Sequence, residues 1–464
     1  MRIIMIFSSK KFQFLFLASI FLNVFSYFPS VFAEKNTDSP PQEWNTTITF
    51  SHEFSNFRLP LTKVPNFFQR EEQVFFRGQE IIPSAFKSIA PENAEVFSIE
   101  EDGNSSPFPV EKHLGEWRVD QNALNAFLEE YVLPHVEQET QDVRIFRGEG
   151  GDIQFEGAGM FGKVVDREKT RILLETALKE GVDRVELPVT ITSPKITVDD
   201  EELSKSGISD LVSVGESDFS GSSWARMQNV EVGSLQLNGY LIPEGETGSF
   251  NDALGPVDAD HGYLPELVIV GSRLDKEYGG GLCQVSSTAF RAALLAGLPI
   301  AERYPHSFAV SYYEPWGTDA TIYPGNKDFK FVNDTKGAIL VQTTMNRETK
   351  KLRFHFYGTR DDRQVKLLGP TIGRHVAALP ALHQTSEKLA PGETQWLSKA
   401  VEGFDASWTR IIFRKTSDIE FASKESAEPL IYSFFSRYQP RRNWSVTGVS
   451  PASAEASDEE VSVI

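Results

Sequence analysis

The residue that most clearly suggests chemistry is Cys283, the only cysteine in a sequence of 464 residues. Three glycines, Gly279–Gly281, precede it, and a helical pattern follows it directly. A lone thiol cannot form a disulfide within its own chain. At the N-terminus of a helix, unsatisfied N–H groups and the helix dipole favour the thiolate over the thiol. This arrangement is typical of a nucleophile, whereas a small buried cysteine without reactivity is the alternative.

Two later residues could activate this thiol. His306 and then Asp319 follow Cys283, after a predicted helix and a predicted strand respectively. A helix that returns the chain to a sheet edge could bring His306 within hydrogen-bond distance of the sulfur. Asp319, at the start of the next strand, could then orient the imidazole. The order is that of nucleophile, base and orienting acid in cysteine acyl transfer. The alternatives are a histidine that caps a strand and an ordinary turn aspartate.

Groups close to the cysteine could stabilise the oxyanion of such a reaction. We expect backbone N–H groups at Gly280, Gly281 and Gln284 to be the donors, with the side-chain amide of Gln284 as a further candidate. These groups surround the predicted start of the helix, where N–H groups lack partners within the helix. The glycines would also let a substrate approach the backbone closely.

Other chemistries fit the same residues less well. A metal site formed by His261, Cys283 and His306 would lack the closely spaced ligand pairs of zinc sites. No Lys-Ser or Lys-Thr pair follows the glycines, as a phosphate-binding loop would require. We therefore predict neither a metal nor another cofactor.

The N-terminus has the features of an export signal. Arg2 and Lys10 supply positive charge, and the stretch Phe12–Phe32 is mostly apolar. Ala33 ends a sequence suited to signal cleavage. Residues 1–33 are therefore predicted to be a signal peptide, with an uncleaved membrane anchor as the alternative. Either would place the rest of the protein outside the cytoplasmic membrane, in the wall or anchored at the membrane.

The charge of the chain restricts its partners. The sequence has 65 Asp and Glu residues, 46 Lys and Arg residues and a formal net charge of −19. It contains no run rich in lysine or arginine. Because binding to nucleic acid needs a basic surface, the composition argues against a nucleic-acid partner. The composition does not indicate an oligomeric state.

The pattern of apolar residues predicts a multi-domain α+β protein. Its predicted parts are a linker over 34–43, an α+β domain over 44–203, a second α+β domain over 204–357, a small β-rich region over 358–449 and a disordered acidic tail over 450–464.

Local signals predict the main elements of the first domain. Asp120 is expected to cap a helix that buries Tyr131 and ends at Pro134. Asp166 is expected to cap a second helix that stops at Gly181. A single strand should follow, with alternate inward positions from Val185 to Ile191. Earlier strand-like runs are expected at Asp142–Phe146 and Asp152–Phe155.

The second domain is predicted to combine two helices with short strands. The helices are expected at Trp224–Asn238 and Gln284–Ala296. The strands are expected at Phe308–Tyr313, Asp319–Tyr323, Phe329–Val332, Ala338–Thr343 and Lys351–Tyr357.

The motifs of this second domain resemble those of the VanW family of cell-envelope proteins, named for an accessory gene of vancomycin-resistance clusters. The resemblance extends over about 150 residues. The segments that carry it are Cys283-Gln-Val-Ser286, Ala292-Ala-Leu-Leu-Ala-Gly297, Glu302-Arg303, Pro305-His306-Ser307, Gly317-Thr-Asp319-Ala-Thr321 and Asp328-Phe-Lys-Phe-Val-Asn333. The region before it, notably Phe155–Thr192, resembles the peptidoglycan-binding domain that often precedes VanW domains.

This resemblance implies a substrate and a reaction. It implies peptidoglycan as the partner and an L,D-transpeptidase-type reaction, in which Cys283 attacks a stem-peptide carbonyl and forms a thioester. His306 would activate the thiol and later the acceptor amine. Ser286, Arg303 and Ser307, which belong to the same motif, are expected to contribute to oxyanion or substrate binding. The alternatives are a non-catalytic wall-binding protein and a cysteine peptidase of stem peptides.

Overall fold

The computed structural model describes most of the chain in two units. The described residues are 39–44, 46–64, 66–76, 79–81, 110–270, 273–361, 363–413 and 428–450. The unit that ends at Asn45 contributes the 3-10 turn Gln42–Trp44, and a compact unit from Thr46 onward holds all the other elements. The predicted signal or anchor at 1–33, the first half of the predicted linker and the acidic tail from residue 451 lie outside the described residues. Within these described ranges, no helix is long and apolar enough to cross a membrane.

The fold is α+β, as the sequence predicts, with a few helices among many small sheets. The strands of the N-terminal region are β1 (Thr47–His52), β2 (Ser55–Pro60), β3 (Phe68–Phe76), β4 (Gln79–Ile81), β5 (Val110–Val119), β6 (Gln141–Arg147), β7 (Ile153–Met160), β8 (Gly162–Val165), β9 (Arg184–Glu186), β10 (Val189–Thr192) and β11 (Ile196–Val198). Its helices are α1 (Gln121–Phe127), α2 (Leu133–Val136), α3 (Arg167–Glu180) and α4 (Glu201–Lys205).

Both predicted helix starts are confirmed, but one predicted end is wrong. The Asp120 carboxylate accepts a hydrogen bond from the N–H of Ala123, and Asp166 caps α3 in the same way. Past α1, the chain continues through a π turn into α2 instead of ending at Pro134. Pro134 is tolerated because it lies in the first turn of α2, where its missing N–H would have no partner within the helix. Tyr131 is 52% exposed and does not join the core.

Gly181 ends α3 at φ 68°, as predicted, but the strand that follows it is divided. β9 pairs in parallel with β1, while β10 pairs antiparallel with β8. Pro188 lies between β9 and β10 and has no N–H to give to a ladder. The alternating pattern therefore covers two short strands in different sheets. Ile191 is exposed as a result.

The central region surrounds one long buried helix. Its strands are β12 (Asp210–Asp218), β13 (Leu241–Ile242), β14 (Thr247–Ser249), β15 (Pro265–Val270), β16 (Arg273–Tyr278), β17 (Ile300–Glu302), β18 (Lys330–Val332), β19 (Ile339–Asn346) and β20 (Lys351–Gly358). Its helices are α5 (Trp224–Gln236), α6 (Phe250–Leu254) and α7 (Leu282–Leu295). β12, β20, β19 and β13 form an antiparallel sheet in that order, and α7 packs on β12 and β20.

The backbone of α7 lies unusually close to β12 because the facing side chains on that strand are small. A Cβ at Gly215 would come within 2.3 Å of the Thr288 carbonyl oxygen and 2.4 Å of the Ala292 nitrogen. On either side of this glycine, Ser213 donates to the Ala292 carbonyl at 2.9 Å, and Ser217 is 2.7 Å from the Thr288 hydroxyl. The contact fixes α7 against the sheet at backbone distance.

Two predicted strands of this region are absent. The segment Phe308–Tyr313 contains the 3-10 turn Ser311–Tyr313, and Asp319–Tyr323 has no regular structure beyond one bridge from Tyr323 to Lys327. Side chains of α7 bind the Tyr313 carbonyl in the first segment and both backbone groups of Ala320 in the second, so these groups are not available to a sheet. The predictions for the three later strands are confirmed by β18, β19 and β20.

The C-terminal region is β-rich, as predicted, and packs closely against the central region. Its strands are β21 (Gln364–Val376), β22 (Leu382–Ser386), β23 (Thr394–Ser398), β24 (Gly403–Phe413), β25 (Leu430–Tyr438) and β26 (Trp444–Gly448). They form the sheets β21-β24-β25 and β22-β26-β23. Trp408 on β24 is buried, and its indole N–H donates to the Trp316 carbonyl at 2.7 Å.

We predict that Gly215→Ala lowers the free energy of unfolding by roughly 1–3 kcal/mol or more, because the new methyl group must displace the backbone of α7. Thermal and urea unfolding would measure the loss. Gly373→Ala is the matched control, because a Cβ there meets nothing within 4 Å. Equal stability of the two variants would show that α7 can move away from β12 at little cost.

Candidate active site

Cys283 is the second residue of α7, which begins two residues earlier than the sequence predicts. The turn before it needs glycine, since Gly281 has φ 123°. A Cβ at Gly280 would approach the Glu266 backbone to 2.9 Å, and the Asn229 amide donates to the Gly280 carbonyl at 3.0 Å. The Cys283 side chain is half-buried and its sulfur lies 3.6 Å from the Ile322 carbonyl oxygen.

The two serines after the cysteine hold the irregular segment that contains Asp319. The Ser286 hydroxyl donates to the Ala320 carbonyl at 2.6 Å, and the Ser287 hydroxyl accepts from the Ala320 N–H at 2.9 Å. Both backbone groups of Ala320 are thereby bound to α7. No strand is needed to place Asp319, because α7 holds the backbone of Ala320, the next residue along the chain.

Asp319 is fully buried, and four hydrogen bonds converge on its carboxylate. Oδ2 accepts from the backbone N–H and from Nδ1 of His306, both at 2.7 Å. Oδ1 accepts from Arg303 at 2.9 Å and from the Tyr438 hydroxyl at 2.7 Å. Burial opposes the charge of Asp319, but the hydrogen bonds to His306 and the charges of His306 and Arg303 outweigh it. The pKa of Asp319 is therefore well below its usual range.

His306 connects this carboxylate to the thiol. With Nδ1 on Asp319, the other ring nitrogen is the one available to Cys283, with which the imidazole forms a hydrogen bond. The Tyr313 ring stacks on the imidazole at a centroid distance of 4.0 Å and an angle of 18°. The Cys283–His306–Asp319 order expected from the sequence is thus a continuous chain of contacts.

The electrostatics favour a charged thiol and imidazole. Burial lowers the pKa of His306, but its hydrogen bonds to Asp319 and Cys283 raise that pKa to about 9. Burial raises the pKa of Cys283, yet the hydrogen bond to His306 and its charge produce a net lowering. The lowered pKa of the thiol and the raised pKa of the imidazole both favour a thiolate beside an imidazolium.

The segment from His306 to Asp319 is also anchored from the far end of α7. Arg291 is buried, and its guanidinium donates to the carbonyls of Tyr313 at 3.0 Å and Glu314 at 2.8 Å. The same side chain donates to the Thr318 hydroxyl at 3.1 Å. One helix therefore supplies the thiol and fixes the loop that carries the other groups of the site.

Cys283 and His306 line a cleft of about 940 Å³. Its walls include both acidic and basic side chains: Glu266, Glu277, Arg226, Lys327 and Arg441. Aromatic side chains also line it: Tyr278, Phe308, Tyr312, Tyr313 and Tyr323. The cleft can therefore accept a large ligand that carries charges of both signs.

The other residues predicted for the site divide into two groups. Gly281 and Ser307 line the cleft beside the thiol. Gly280, Gln284 and Ser286 have partners within the protein instead. The Gln284 amide donates to the Asp218 carbonyl at 2.7 Å, and the Gln284 N–H donates to the Gly281 carbonyl at 2.9 Å.

Arg303 is likewise directed into the protein. Besides Asp319, its guanidinium donates to the Gly317 carbonyl at 3.1 Å and the Ser436 hydroxyl at 2.8 Å. Its side chain is only 8% exposed, so it orients Asp319 and is not available to a substrate. His261 forms a surface pair with Asp258 at 2.7 Å, in place of the metal site considered from the sequence.

Sequence reasoning missed Tyr313, Tyr438 and Arg226. Tyr438 lies on β25, more than a hundred residues after Asp319, and no local pattern connects the two. Tyr313 was interpreted as part of an ordinary strand. Arg226 could have been noticed because it lies in the first turn of α5, where a cation is disfavoured by the helix dipole.

We predict that the rate of Cys283 alkylation by iodoacetamide reaches half its maximum below about pH 8.5, the value for an ordinary thiol. The lowered thiol pKa is the cause, so the rate should rise as pH increases through that lowered value. In His306→Ala the partner is lost while burial remains, and the midpoint should move to higher pH. A midpoint that is the same in both proteins would contradict an activated thiol.

We predict that Tyr438→Phe lowers the free energy of unfolding by about 1–3 kcal/mol, since it removes a donor from the buried Asp319 carboxylate. It also removes the acceptor of the Gly317 N–H. Thermal unfolding would measure the effect, with Tyr432→Phe on the same strand as control because Tyr432 is 47% exposed. An unchanged melting temperature for Tyr438→Phe would show that its hydroxyl does not support the site.

Comparison with known proteins agrees with the resemblance seen in the sequence. The family model described as VanW like protein matches residues 225–357. The chain is 34% identical over 163 residues to Uncharacterized protein YoaR of Bacillus subtilis (strain 168), with 35% of this chain and 52% of the relative covered. It is 34% identical over 125 residues to Vancomycin B-type resistance protein VanW of Enterococcus faecalis (strain ATCC 700802 / V583), with 26% and 45% covered. The matched stretches span about half the length of these relatives.

Among solved structures, the IgA1 Protease G5 domain structure matches with 15% identity and a TM-score of 0.12, covering 20% of this chain and 99% of that chain. The sequence matches are more informative, because the matched residues 225–357 include Cys283, His306 and Asp319. The part of the chain that matches the VanW family model is therefore the part that holds the candidate active site.

Proposed function

We propose that this protein is an envelope acyl transferase of the L,D-transpeptidase type that uses Cys283 to act on the stem peptides of peptidoglycan. The observation that carries the proposal is the chain of contacts from Cys283 through His306 to buried Asp319, at the wall of a cleft of about 940 Å³. These residue types in this geometry match what nucleophilic cysteine catalysis requires.

The proposed reaction has two steps. The Cys283 thiolate attacks a stem-peptide carbonyl carbon and forms a C–S bond, while the C–N bond breaks and the leaving amine takes a proton from the His306 imidazolium. The product is a thioester. The amine of a second stem peptide then attacks that thioester, gives a proton to His306 and releases the thiolate. Asp319 keeps the imidazole oriented and stabilises its charge through both steps.

The choice of peptidoglycan rests on the family and on the cleft. The match of residues 225–357 to the VanW family model supports an envelope location, and a relative is a vancomycin resistance protein by its name. The cleft wall combines tyrosines with Glu277, Arg226 and Lys327, a lining suited to a peptide that carries both amine and carboxylate groups. The region over 44–203 would bind the wall, as its resemblance implies.

The second candidate reaction is hydrolysis. Water in place of the acceptor amine would release the acyl group and make the protein a cysteine peptidase. The two reactions share the first step and the same thioester, and they differ in which nucleophile reaches the thioester. A non-catalytic wall-binding role would not explain the lowered pKa of the Cys283 thiol.

We predict that the mature protein converts muropeptides with free stem peptides into cross-linked or exchanged products, detected by mass spectrometry. Cys283→Ala should reduce turnover to background, because no thioester can form. Its melting temperature and its co-sedimentation with sacculi should equal those of the unchanged protein, which makes both measurements the control.

Other results would change the assignment in defined ways. Shortened peptides without cross-links would indicate the peptidase. Full turnover by Cys283→Ala would remove the proposed nucleophile. Sacculus binding without any product from the unchanged protein would support the non-catalytic role.

A further inference from the structure

Gln284, one of the oxyanion donors expected from the sequence, is already engaged. Its N–H donates to the Gly281 carbonyl at 2.9 Å. The Gln284 side-chain amide is held by the Asp218 carbonyl at 2.7 Å and by Ser217 at 3.4 Å. With both Gln284 groups engaged, a tetrahedral intermediate on Cys283 would gain from a further donor on the cleft wall.

Tyr313 has the position that such a donor needs. It lines the cleft together with Cys283 and His306, and it is only 7% exposed. Its ring stacks on the His306 imidazole at 4.0 Å, while Arg291 holds its backbone carbonyl at 3.0 Å. The ring is thus fixed from two sides, in the wall of the cleft that Cys283 also lines.

Arg226 orients the hydroxyl of this tyrosine. Its guanidinium donates to the Tyr313 hydroxyl oxygen and, at 3.1 Å, to the Gln284 side-chain oxygen. It also lies over the Tyr312 ring at 4.5 Å. Because the Tyr313 oxygen accepts from a cation, its own proton is free to point to another acceptor. Burial raises the pKa of Tyr313, so the hydroxyl keeps that proton at neutral pH.

We propose that the Tyr313 hydroxyl, held by Arg226, donates the hydrogen bond that stabilises the oxyanion formed when Cys283 attacks a carbonyl. This role rests on the acyl transfer proposed above and adds a catalytic residue to it. As the C–S bond forms, the electron pair of the C=O π bond moves to the oxygen, which accepts the Tyr313 proton in a hydrogen bond. When that electron pair moves back to re-form the C=O bond, the bond to the leaving group breaks and the thioester remains.

The test compares two reactions of the same thiol in the full-length mature protein. Acylation by p-nitrophenyl acetate passes through an oxyanion, whereas alkylation by iodoacetamide displaces iodide and forms none. Tyr313→Phe keeps the ring on His306 and removes only the hydroxyl. We expect its acylation rate to fall roughly 10²-fold, the usual effect of losing one oxyanion donor. Its alkylation rate at the high-pH plateau should stay within about twofold of the unchanged protein.

Tyr432→Phe is the control, because it removes the hydroxyl of a tyrosine that is 47% exposed, and it should change neither rate. An equal fall in both rates for Tyr313→Phe would mean that the hydroxyl supports the thiolate instead of the oxyanion. Unchanged acylation would overturn the proposal outright. Both rates are measured without muropeptides, so an absence of cross-linking would count against the peptidoglycan reaction and leave this comparison interpretable.

Discussion

The buried carboxylate of Asp319 is the group on which the rest of the site depends. A carboxylate with no exposed surface is costly unless its oxygens are bonded, and here each oxygen accepts two hydrogen bonds. The donors come from Arg303 and His306 on one loop and from Tyr438 on a distant strand. Satisfying this one charge therefore fixes the imidazole, the loop and the C-terminal sheet together. The basicity of His306, and with it the state of the thiol, follows from that arrangement.

The helix of the cysteine is the second fixed element. It lies in close contact with β12 at Gly215, and its side chains Ser286, Ser287 and Arg291 hold the irregular segments around the site. The residues that follow Cys283 along the helix therefore hold the segments that carry His306 and Asp319. Ser286, which the sequence suggested as a substrate-binding residue, has this structural role.

Local signals in the sequence predicted several helix starts and ends, because these depend on residues close together in the chain. The caps at Asp120 and Asp166, the stop at Gly181 and the helix after Cys283 follow from short patterns, and the structure has them all. The strands predicted at Phe308–Tyr313 and Asp319–Tyr323 were wrong. Side chains of α7, which no local pattern connects to these segments, bind the backbone of Tyr313 and Ala320. The contribution of Tyr438 could not be predicted, because only the tertiary fold brings that residue to Asp319.

The hydrogen bond from Tyr438 to Asp319 has a consequence for how the chain can be divided. The stretch that matches the VanW family model ends at residue 357, but Tyr438, Ser436 and Trp408 lie beyond it. A fragment cut at that boundary would keep the thiol, the imidazole and the carboxylate, yet it would lose one of the four donors to the carboxylate and the cover over Trp316. The stretch that matches the family model therefore does not contain every residue that completes the site, and the C-terminal sheet supplies the rest.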